Sequence, residues 1–241
     1  IANAYQLSAK YDSFDKVGAQ SGFVFYVPAN YTSKIDPATG FVNLFNSKHL
    51  KYENVKKSQE FFGKFNSICY DQKYGFMFEF SYDNFKTNED DKTIWQVCSG
   101  DASRVVYKVS ENKYEEVFVT EKIKALFDAY GIALNSDIKE AVVQQNSKEF
   151  FEKLLWLFGM IVRLRYSNSQ TDYILSPVLK DGKFFDSRKA QNCMPVDGDA
   201  NGAYHIALKG LRLVTQQIDQ NGSIKLDKTG TGNKAWFDYA K

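Results

Sequence analysis

The chain has 241 residues, of which 44% are apolar and 25% are charged, and it contains only 4 prolines. This balance is typical of a globular protein and excludes the fibrous and disordered classes. The 31 Lys and Arg residues nearly cancel the 29 Asp and Glu residues, so the formal charge of +2 predicts no broad basic surface for a nucleic acid or a membrane. No apolar run approaches the roughly 18 residues of a membrane helix, and we expect a soluble chain with no membrane partner.

The cysteines and the first residues bear on the cellular compartment. Cys69, Cys98 and Cys193 stand far apart and form no Cys-x-x-Cys pair, which supports neither a disulfide framework nor a thiolate zinc site. We therefore expect reduced thiols. The chain begins Ile-Ala-Asn-Ala, without a basic stretch and an apolar segment behind it, so no signal peptide is predicted. Because the first residue is not Met, we expect a fragment or the product of a cut.

The first half of the chain predicts short strands and one helix. Dense aromatic or alternating apolar residues predict strands over 22–27 and 74–82. Between them, Asp-Pro-Ala-Thr-Gly at 36–40 predicts a turn, and phenylalanines at helical spacing predict a short helix over 55–65. Residues 95–119 predict a small antiparallel set of strands.

The second half of the chain predicts mainly helices. We expect helices over 120–130, with Thr120 as the N-cap, over 137–145, and from Asp199 to about residue 219. Strands that give way to helices along the chain predict an α+β fold.

The helix predicted over 146–165 has the strongest signal in the sequence. Asn146 and Glu149 form a capping box at its start, and a helical wheel places Arg165 on its apolar stripe. One explanation is that a cation in the last turn stabilises the negative end of the helix dipole, typically by about 0.3–1 kcal/mol. The other is that the helix holds Arg165 rigidly to grip a phosphate, which suits the planar guanidinium.

The last predicted helix has two distinct faces on a helical wheel. Asp199 begins a stripe that is predicted to pack inward, and this stripe continues with Gly202, Ala203, Ile206, Gly210 and Leu213. The opposite face is predicted to be solvated and carries His205, Lys209, Arg212 and Gln216.

An inward carboxylate at Asp199 requires a helix N-terminus, a cationic partner or a metal, because a buried unpaired carboxylate is costly. The alternative is that Asp197 or Asp199 merely caps the helix. His205 is not expected to be catalytic. With His49 as the other histidine and no Gly-x-Ser-x-Gly turn, a hydrolase with a nucleophilic triad is not supported.

One long segment carries a family resemblance. Residues 195–210 read Pro-Val-Asp-Gly-Asp-Ala-Asn-Gly-Ala-Tyr-His-Ile-Ala-Leu-Lys-Gly. This run closely resembles the third RuvC motif of type V-A CRISPR RNA-guided DNA endonucleases, the Cas-twelve-a effectors. Residues 22–41, 57–62, 172–178 and 184–188 are similar to the same family, so the likeness spans nearly the whole chain.

The resemblance implies an RNase H-like nuclease fold in which three carboxylates from three separate motifs hold Mg²⁺ for phosphodiester hydrolysis by two-metal chemistry. It makes Asp199 the third acid and a metal ligand. The motifs of the other two acids find no match in 1–27, so the chain alone is not expected to cut DNA. The implied domains are the end of the second RuvC segment (1–27), an inserted mixed α/β Nuc domain (28–196) and the third RuvC segment (197–241).

Within the implied Nuc domain, the resemblance gives Arg165 a role in positioning the phosphate of the target strand. It gives Asp172 the role of orienting neighbouring groups or Arg165 itself. Lys34, Arg163 and Arg188 are candidates for contacts with a nucleic-acid backbone, and an ordinary surface cation is the alternative for each.

Three departures from related patterns stand in the sequence. The family's usual Met-Arg-Asn-Ser is Leu-Arg-Tyr-Ser at 164–167, and its usual Asp-Ala-Asp is Asp-Gly-Asp at 197–199. The 32–40 turn is similar to a zinc knuckle of related transposon nucleases, but Asp36 and Thr39 stand where thiolates would bind zinc. No zinc is therefore expected.

The partners that the resemblance implies are a guide crRNA, the target DNA and the remaining N-terminal part of the same effector, in the cytoplasm of a prokaryote. The protein then needs only shape and phosphate contacts, because base pairing with the guide reads the sequence. Two alternatives stay open. One is a catalytically inactive guide-directed DNA-binding protein. The other is a non-catalytic binding or interaction module in which the aromatic residues of 76–82 form a stacking or packing surface and Asp199 is a cap, whereas these aromatic residues otherwise belong to the core.

Overall fold

Short antiparallel sheets and helices build the chain in a computed structural model, which describes residues 6–7, 24–25, 29–85, 92–135, 137–191, 193–217 and 233–241. The helices are α1 (Val55–Gly63), α2 (Val119–Ala129), α3 (Ile138–Val143), α4 (Lys148–Ile161), α5 (Gly198–Gln217) and α6 (Asn233–Ala240). None of these helices has the length and apolar content of a bilayer-spanning segment within the described ranges. The predicted α+β class is confirmed.

The strands form four small sheets within the described residues. They are β1 (Gln6–Leu7), β2 (Val24–Phe25), β3 (Ser67–Asp71), β4 (Gly75–Ser81), β5 (Ile94–Cys98), β6 (Arg104–Lys108), β7 (Lys113–Val117), β8 (Arg165–Ser167), β9 (Asp172–Lys180) and β10 (Lys183–Asp186). All pairings are antiparallel, in the orders β1–β2, β3–β4–β5, β6–β7 and β8–β9–β10. The predicted strand at 74–82 and the set at 95–119 are confirmed. Of the strand predicted at 22–27, residues 24 and 25 form β2 and the others lie outside the described residues.

The main core lies between the β3–β4–β5 sheet and α4. On β4 and the turn that follows it, four rings are completely buried, namely those of Phe76, Phe78, Phe80 and Tyr82. Phe158 of α4 meets the Phe78 ring with the centroids 5.1 Å apart. Alternate residues of a strand point to one face, so these rings supply the core. The interpretation of these aromatic residues as core is confirmed, and the stacking surface of the interaction-module alternative is wrong.

Two of the predicted N-caps are wrong. The α4 helix is capped by Ser147, whose Oγ accepts a hydrogen bond from the Phe150 N–H at 3.2 Å, rather than by Asn146. Asn146 instead accepts a hydrogen bond from Gln59 of α1. Thr120 lies inside α2, where its hydroxyl donates to the carbonyl oxygen of Gly100. Both residues can cap a helix, but each finds a partner on another element, which the local sequence does not reveal.

The buried face of α5 is the one that the helical wheel predicts to be solvated. His205 is 1% exposed and Asn201 donates from Nδ2 to the Ile35 carbonyl oxygen at 2.9 Å, whereas Ile206 and Leu211 are 39% and 53% exposed. The predicted assignment of the two faces is therefore wrong in the described part of the chain, and the side chain of Leu213 lies outside it.

Aromatic residues of α6 explain why this polar face is covered. Lys209 Nζ lies 5.1 Å from the Trp236 ring centroid, and Arg212 Cζ lies 5.2 Å from that of Tyr239. Long cationic side chains can bury their aliphatic stems while the charged head meets an aromatic face. The wheel alone cannot identify this packing, because α6 lies more than 15 residues further along the chain.

His205 predicts a pH dependence of stability. Burial lowers its pKa to about 4, below the value of about 6.5 expected in the unfolded chain. Between these values the unfolded state binds more protons than the folded state, so the His205 contribution is complete above pH 6.5 and is lost as the pH falls toward 4. We expect chemical denaturation to show a loss on the order of 3 kcal/mol across this window.

The matched control for this prediction is His205→Phe, which keeps a buried ring and removes the titrating group. Its free energy of unfolding should change less between pH 7 and pH 4.5 than that of the parent. Because Asp36 and every other titrating group is common to both proteins, their contributions cancel in the comparison. An equal pH dependence in the two proteins would contradict the role of His205.

Candidate active site

Arg165 begins a strand and does not lie in a helix. The α4 helix ends at Ile161, and four residues later the chain enters β8, where Arg165 pairs with Ile174 of β9. The Arg165 side chain is 41% exposed. The prediction that Arg165 lies on the inner stripe of the last helical turn is therefore wrong, and so is its explanation by the helix dipole. The reason is that pairing with β9 ends the helix four residues before the predicted boundary.

Asp172 holds Arg165 from the neighbouring strand. Arg165 donates from Nε to Asp172 Oδ1 at 2.8 Å and from Nη2 to Oδ2 at 2.7 Å. The two residues are diagonal neighbours across β8 and β9, which places both side chains on one face of the sheet. This two-point geometry fixes the plane of the guanidinium. The hydrogen bond with Asp172 also raises the pKa of Arg165.

The same Asp172 carboxylate reaches the start of α5. The backbone N–H of Gly198 donates to Asp172 Oδ2 at 3.1 Å, and Arg165 Nη1 lies 3.3 Å from Asp199 Oδ1. The three residues that the resemblance assigns to the site therefore come together, with Arg165 between two carboxylates.

The two aspartates at the start of α5 have different roles. Asp197 Oδ1 accepts a hydrogen bond from the Ala200 N–H at 2.7 Å, which is the geometry of an N-cap. Asp199 has a side chain that is 90% exposed and lies in the first helical turn. Of the two capping candidates, Asp197 is thus the cap, and the Asp199 carboxylate is open to solvent rather than packed inward.

Gly198 is a site residue that the sequence argument missed. A Cβ at this position would collide with the Nε, Cδ and Cζ atoms of Arg165. The guanidinium therefore lies directly against the backbone at the start of α5. The sequence does contain a signal for this residue, because glycine stands at 198 where the family usually has alanine. That signal cannot be interpreted until the position of Arg165 is known.

We predict that Gly198→Ala displaces the Arg165 guanidinium and breaks its two hydrogen bonds with Asp172, a pair that we call the fork. The backbone can accept alanine, because Gly198 is not among the glycines with positive φ, so the side chain of Arg165 must give way. The Nε–H signal of Arg165 in an NMR spectrum should shift and exchange faster with water.

The control for the displaced arginine is Gly202→Ala on the same helix. A Cβ at Gly202 would meet Ser33 Cβ at an ordinary van der Waals distance of 3.7 Å, so the Arg165 signal should stay in place. An unchanged Arg165 Nε–H signal in Gly198→Ala would contradict the collision.

Among the described residues, none of the three candidate backbone contacts forms a hydrogen bond or ion pair with Arg165, Asp172 or Asp199. Lys34 is exposed on the 3₁₀ turn Thr32–Lys34, which packs against α5. Arg163 is exposed between α4 and β8, with Cζ 6.0 Å from the Tyr166 ring centroid. Arg188 pairs with Asp186 through two hydrogen bonds of 2.9 and 2.7 Å. Their roles as nucleic-acid contacts stay predictions.

A comparison with protein families identifies the chain. A family model described as a nuclease domain, Nuc, matches residues 35–189. The chain belongs to this Nuc family. This is the Nuc domain of Cas-twelve-a type effectors, as the sequence motifs predict. The match supports a nuclease function.

The Nuc match covers β3 to β10 and includes Arg165 and Asp172, whereas Asp199 follows it. It lies within the predicted Nuc segment 28–196, whose boundaries stay predictions. The two halves of the candidate site thus come from the Nuc domain and from the segment that resembles the third RuvC motif.

The described residues contain no group of three or more His, Cys, Asp or Glu side chains that could hold a metal. Asp199 fits Mg²⁺ as one ligand of a larger set, because it is an exposed carboxylate and each Mg²⁺ ion is usually bound by one or two carboxylates together with water and phosphate oxygens. In the turn that is similar to a zinc knuckle, the Thr39 hydroxyl donates directly to Asp36 Oδ2. The expectation of no zinc stays a prediction.

Proposed function

We propose that the chain is the C-terminal part of a CRISPR RNA-guided DNA endonuclease, which hydrolyses guide-matched DNA with Mg²⁺ in a prokaryotic cytoplasm. The observation that carries this proposal is the guanidinium of Arg165, which contacts both Asp172 of the Nuc domain and Asp199 at the start of α5. A guanidinium beside an exposed carboxylate is suited to a phosphate that approaches a metal.

Asp199 would hold Mg²⁺ together with two acids that the resemblance places outside this chain. When bound, Mg²⁺ neutralises phosphate charge and lowers the pKa of a coordinated water. Asp199 supplies an oxygen ligand from the first turn of α5, whose cap is provided by Asp197.

Arg165 would position the scissile phosphate of the target strand. Its fork is fixed by Asp172, and its Nη1 faces Asp199. A phosphate oxygen near Asp199 can therefore replace the Asp199 contact while the fork to Asp172 is kept. Asp172 acts as a positioning residue, because both of its oxygens accept hydrogen bonds from Arg165 or Gly198.

The test is a cleavage assay on guide-matched double-stranded DNA. The chain is assayed alone and mixed with the remaining N-terminal part and guide crRNA, with Mg²⁺ or with EDTA. We expect cleavage only in the mixture that contains Mg²⁺. Binding of DNA without cleavage would instead favour the inactive guide-directed DNA-binding protein, and the absence of both would contradict the proposal.

A further inference from the structure

A cavity of about 460 Å³ lies beside the candidate site, on the Nuc domain. Its lining comes from the end of β5 and the loop that follows, from β6, from the middle of β9, and from residues 183–186, 189–191 and 194. Its volume falls within the range of small-ligand sites. Leu175 of β9 contributes to the lining, and it lies three residues from Asp172, or about 10 Å along the strand. The cavity is thus close to Arg165 but is not part of the Arg165 cluster.

A buried arginine lines this cavity. Arg104 is 2% exposed, and its Nε has no hydrogen-bond partner among the described residues. Its Nη1 donates to the backbone oxygen of Ala102 at 3.3 Å, and the guanidinium also lies within hydrogen-bonding reach of the neutral Tyr166 hydroxyl. In the described part of the chain, Arg104 forms no ion pair with a carboxylate. A buried cation without an anionic partner is costly, so this arrangement favours an anionic ligand.

The charges around the cavity are consistent with an anion. Lys183 and Lys189 are exposed at the rim. Of the two acids in the lining, Asp101 is exposed and Asp186 is buried with both oxygens bound to Arg188. The carboxylate of Asp186 is therefore already neutralised by Arg188. The remaining charged groups of the lining are the cations Arg104, Lys183 and Lys189 and the single carboxylate of Asp101.

The remaining walls suit an aromatic base. Phe184 is half-buried in the lining, and its ring lies over Gly100, where a Cβ would approach it to 3.4 Å. Phe185 and Met194 add further apolar surface. Nucleic-acid bases stack on aromatic side chains without strong sequence preference, and a phosphate binds arginine through paired hydrogen bonds.

We propose that this cavity binds one nucleoside 5′-monophosphate unit, with the phosphate at Arg104 and the base against Phe184. The unit belongs either to a single strand of DNA or to a free nucleotide. The choice of DNA as the strand rests on the proposed function, whereas the binding site itself does not.

Methyl NMR of the methionines tests the site in the full 241-residue chain without Mg²⁺. The chain has 3 methionines, of which Met194 lines the cavity and Met160 is 3% exposed in the core. Thymidine monophosphate or a short oligothymidylate should shift the Met194 methyl signal and leave that of Met160 in place. Shifts with the free nucleotide would indicate a nucleotide site, and shifts with the oligonucleotide alone would indicate a strand site.

Arg104→Met should weaken this binding at least about tenfold, because a hydrogen bond to a charged group is lost. It should not lower the thermal unfolding temperature, since it also removes a desolvated charge. If this variant does not fold, Lys189→Gln at the exposed rim and Phe184→Leu should each weaken binding by about threefold to tenfold.

Four results would overturn the proposal. The first is that neither thymidine monophosphate nor the oligothymidylate shifts the Met194 methyl signal. The second and third are unchanged affinity in Arg104→Met and unchanged affinity in both fallback variants. The fourth is that inorganic phosphate or thymidine binds as tightly as the nucleotide. Because these titrations contain neither metal nor guide RNA, their failure is distinguishable from failure of the cleavage assay.

Discussion

Asp199→Asn should reduce Mg²⁺-dependent DNA cleavage by the reconstituted protein at least about a hundredfold, because loss of groups that only support a metal ligand already costs about 10–100-fold. The substitution keeps the size of the side chain and removes its charge. Since the Asp199 side chain is 90% exposed and does not cap α5, the fold should be unaffected. Single-turnover cleavage rates on guide-matched DNA measure the effect.

Asp197→Asn is the matched control for Asp199. It makes the same chemical change two residues earlier in the chain, and asparagine caps a helix as well as aspartate does. The hydrogen bond to the Ala200 N–H can persist, so cleavage should remain within about twofold of the parent rate. Parental cleavage by Asp199→Asn would refute its role as a metal ligand, and equal losses in both variants would indicate a general effect of charge.

Arg165→Ala should slow cleavage of the target strand by about a hundredfold, which is the usual effect of removing one well-placed donor to transition-state charge. The cut in the other strand should be less affected, because the proposed role concerns the target strand. Thermal unfolding should change little, since the ion pair is partly exposed to solvent. Labelling each DNA strand separately measures the two cuts.

Two further variants distinguish positioning from charge. Arg165→Lys keeps the positive charge but loses the two-point fork with Asp172, so it should restore only part of the target-strand rate. Lys153→Ala removes one positive charge from the exposed face of α4, where Lys153 pairs with Glu149, and should leave both cuts unchanged. Full restoration by lysine would show that the fork is unimportant, and equal slowing of both strands by Arg165→Ala would contradict a strand-specific role.

The regular parts of the fold were predictable because they depend on local patterns. Phenylalanines at helical spacing predict α1, and alternation of apolar residues predicts β4. The wrong predictions concern contacts between distant segments. Thr120 bonds to Gly100 instead of capping α2, and the face of α5 that carries His205 is covered by α6.

The identity of the candidate site residues was predictable from the sequence, but the contacts between them were not. The resemblance selected Arg165, Asp172 and Asp199. The fork between the first two depends on the register of β8 against β9, which neither the turn nor the alternation of side chains specifies alone. Gly198 and Arg104 were missed for a related reason, because close approach and burial of a charge are properties of packing.

The hydrogen bond from the Gly198 N–H to Asp172 has a mechanical consequence. Asp172 restrains both the guanidinium of Arg165 and the first residue of α5. The spacing between this arginine and Asp199 is then set by a single carboxylate. A movement of α5 away from the β8–β9 pair would have to break this hydrogen bond, so we expect the guanidinium of Arg165 and the first turn of α5 to move together.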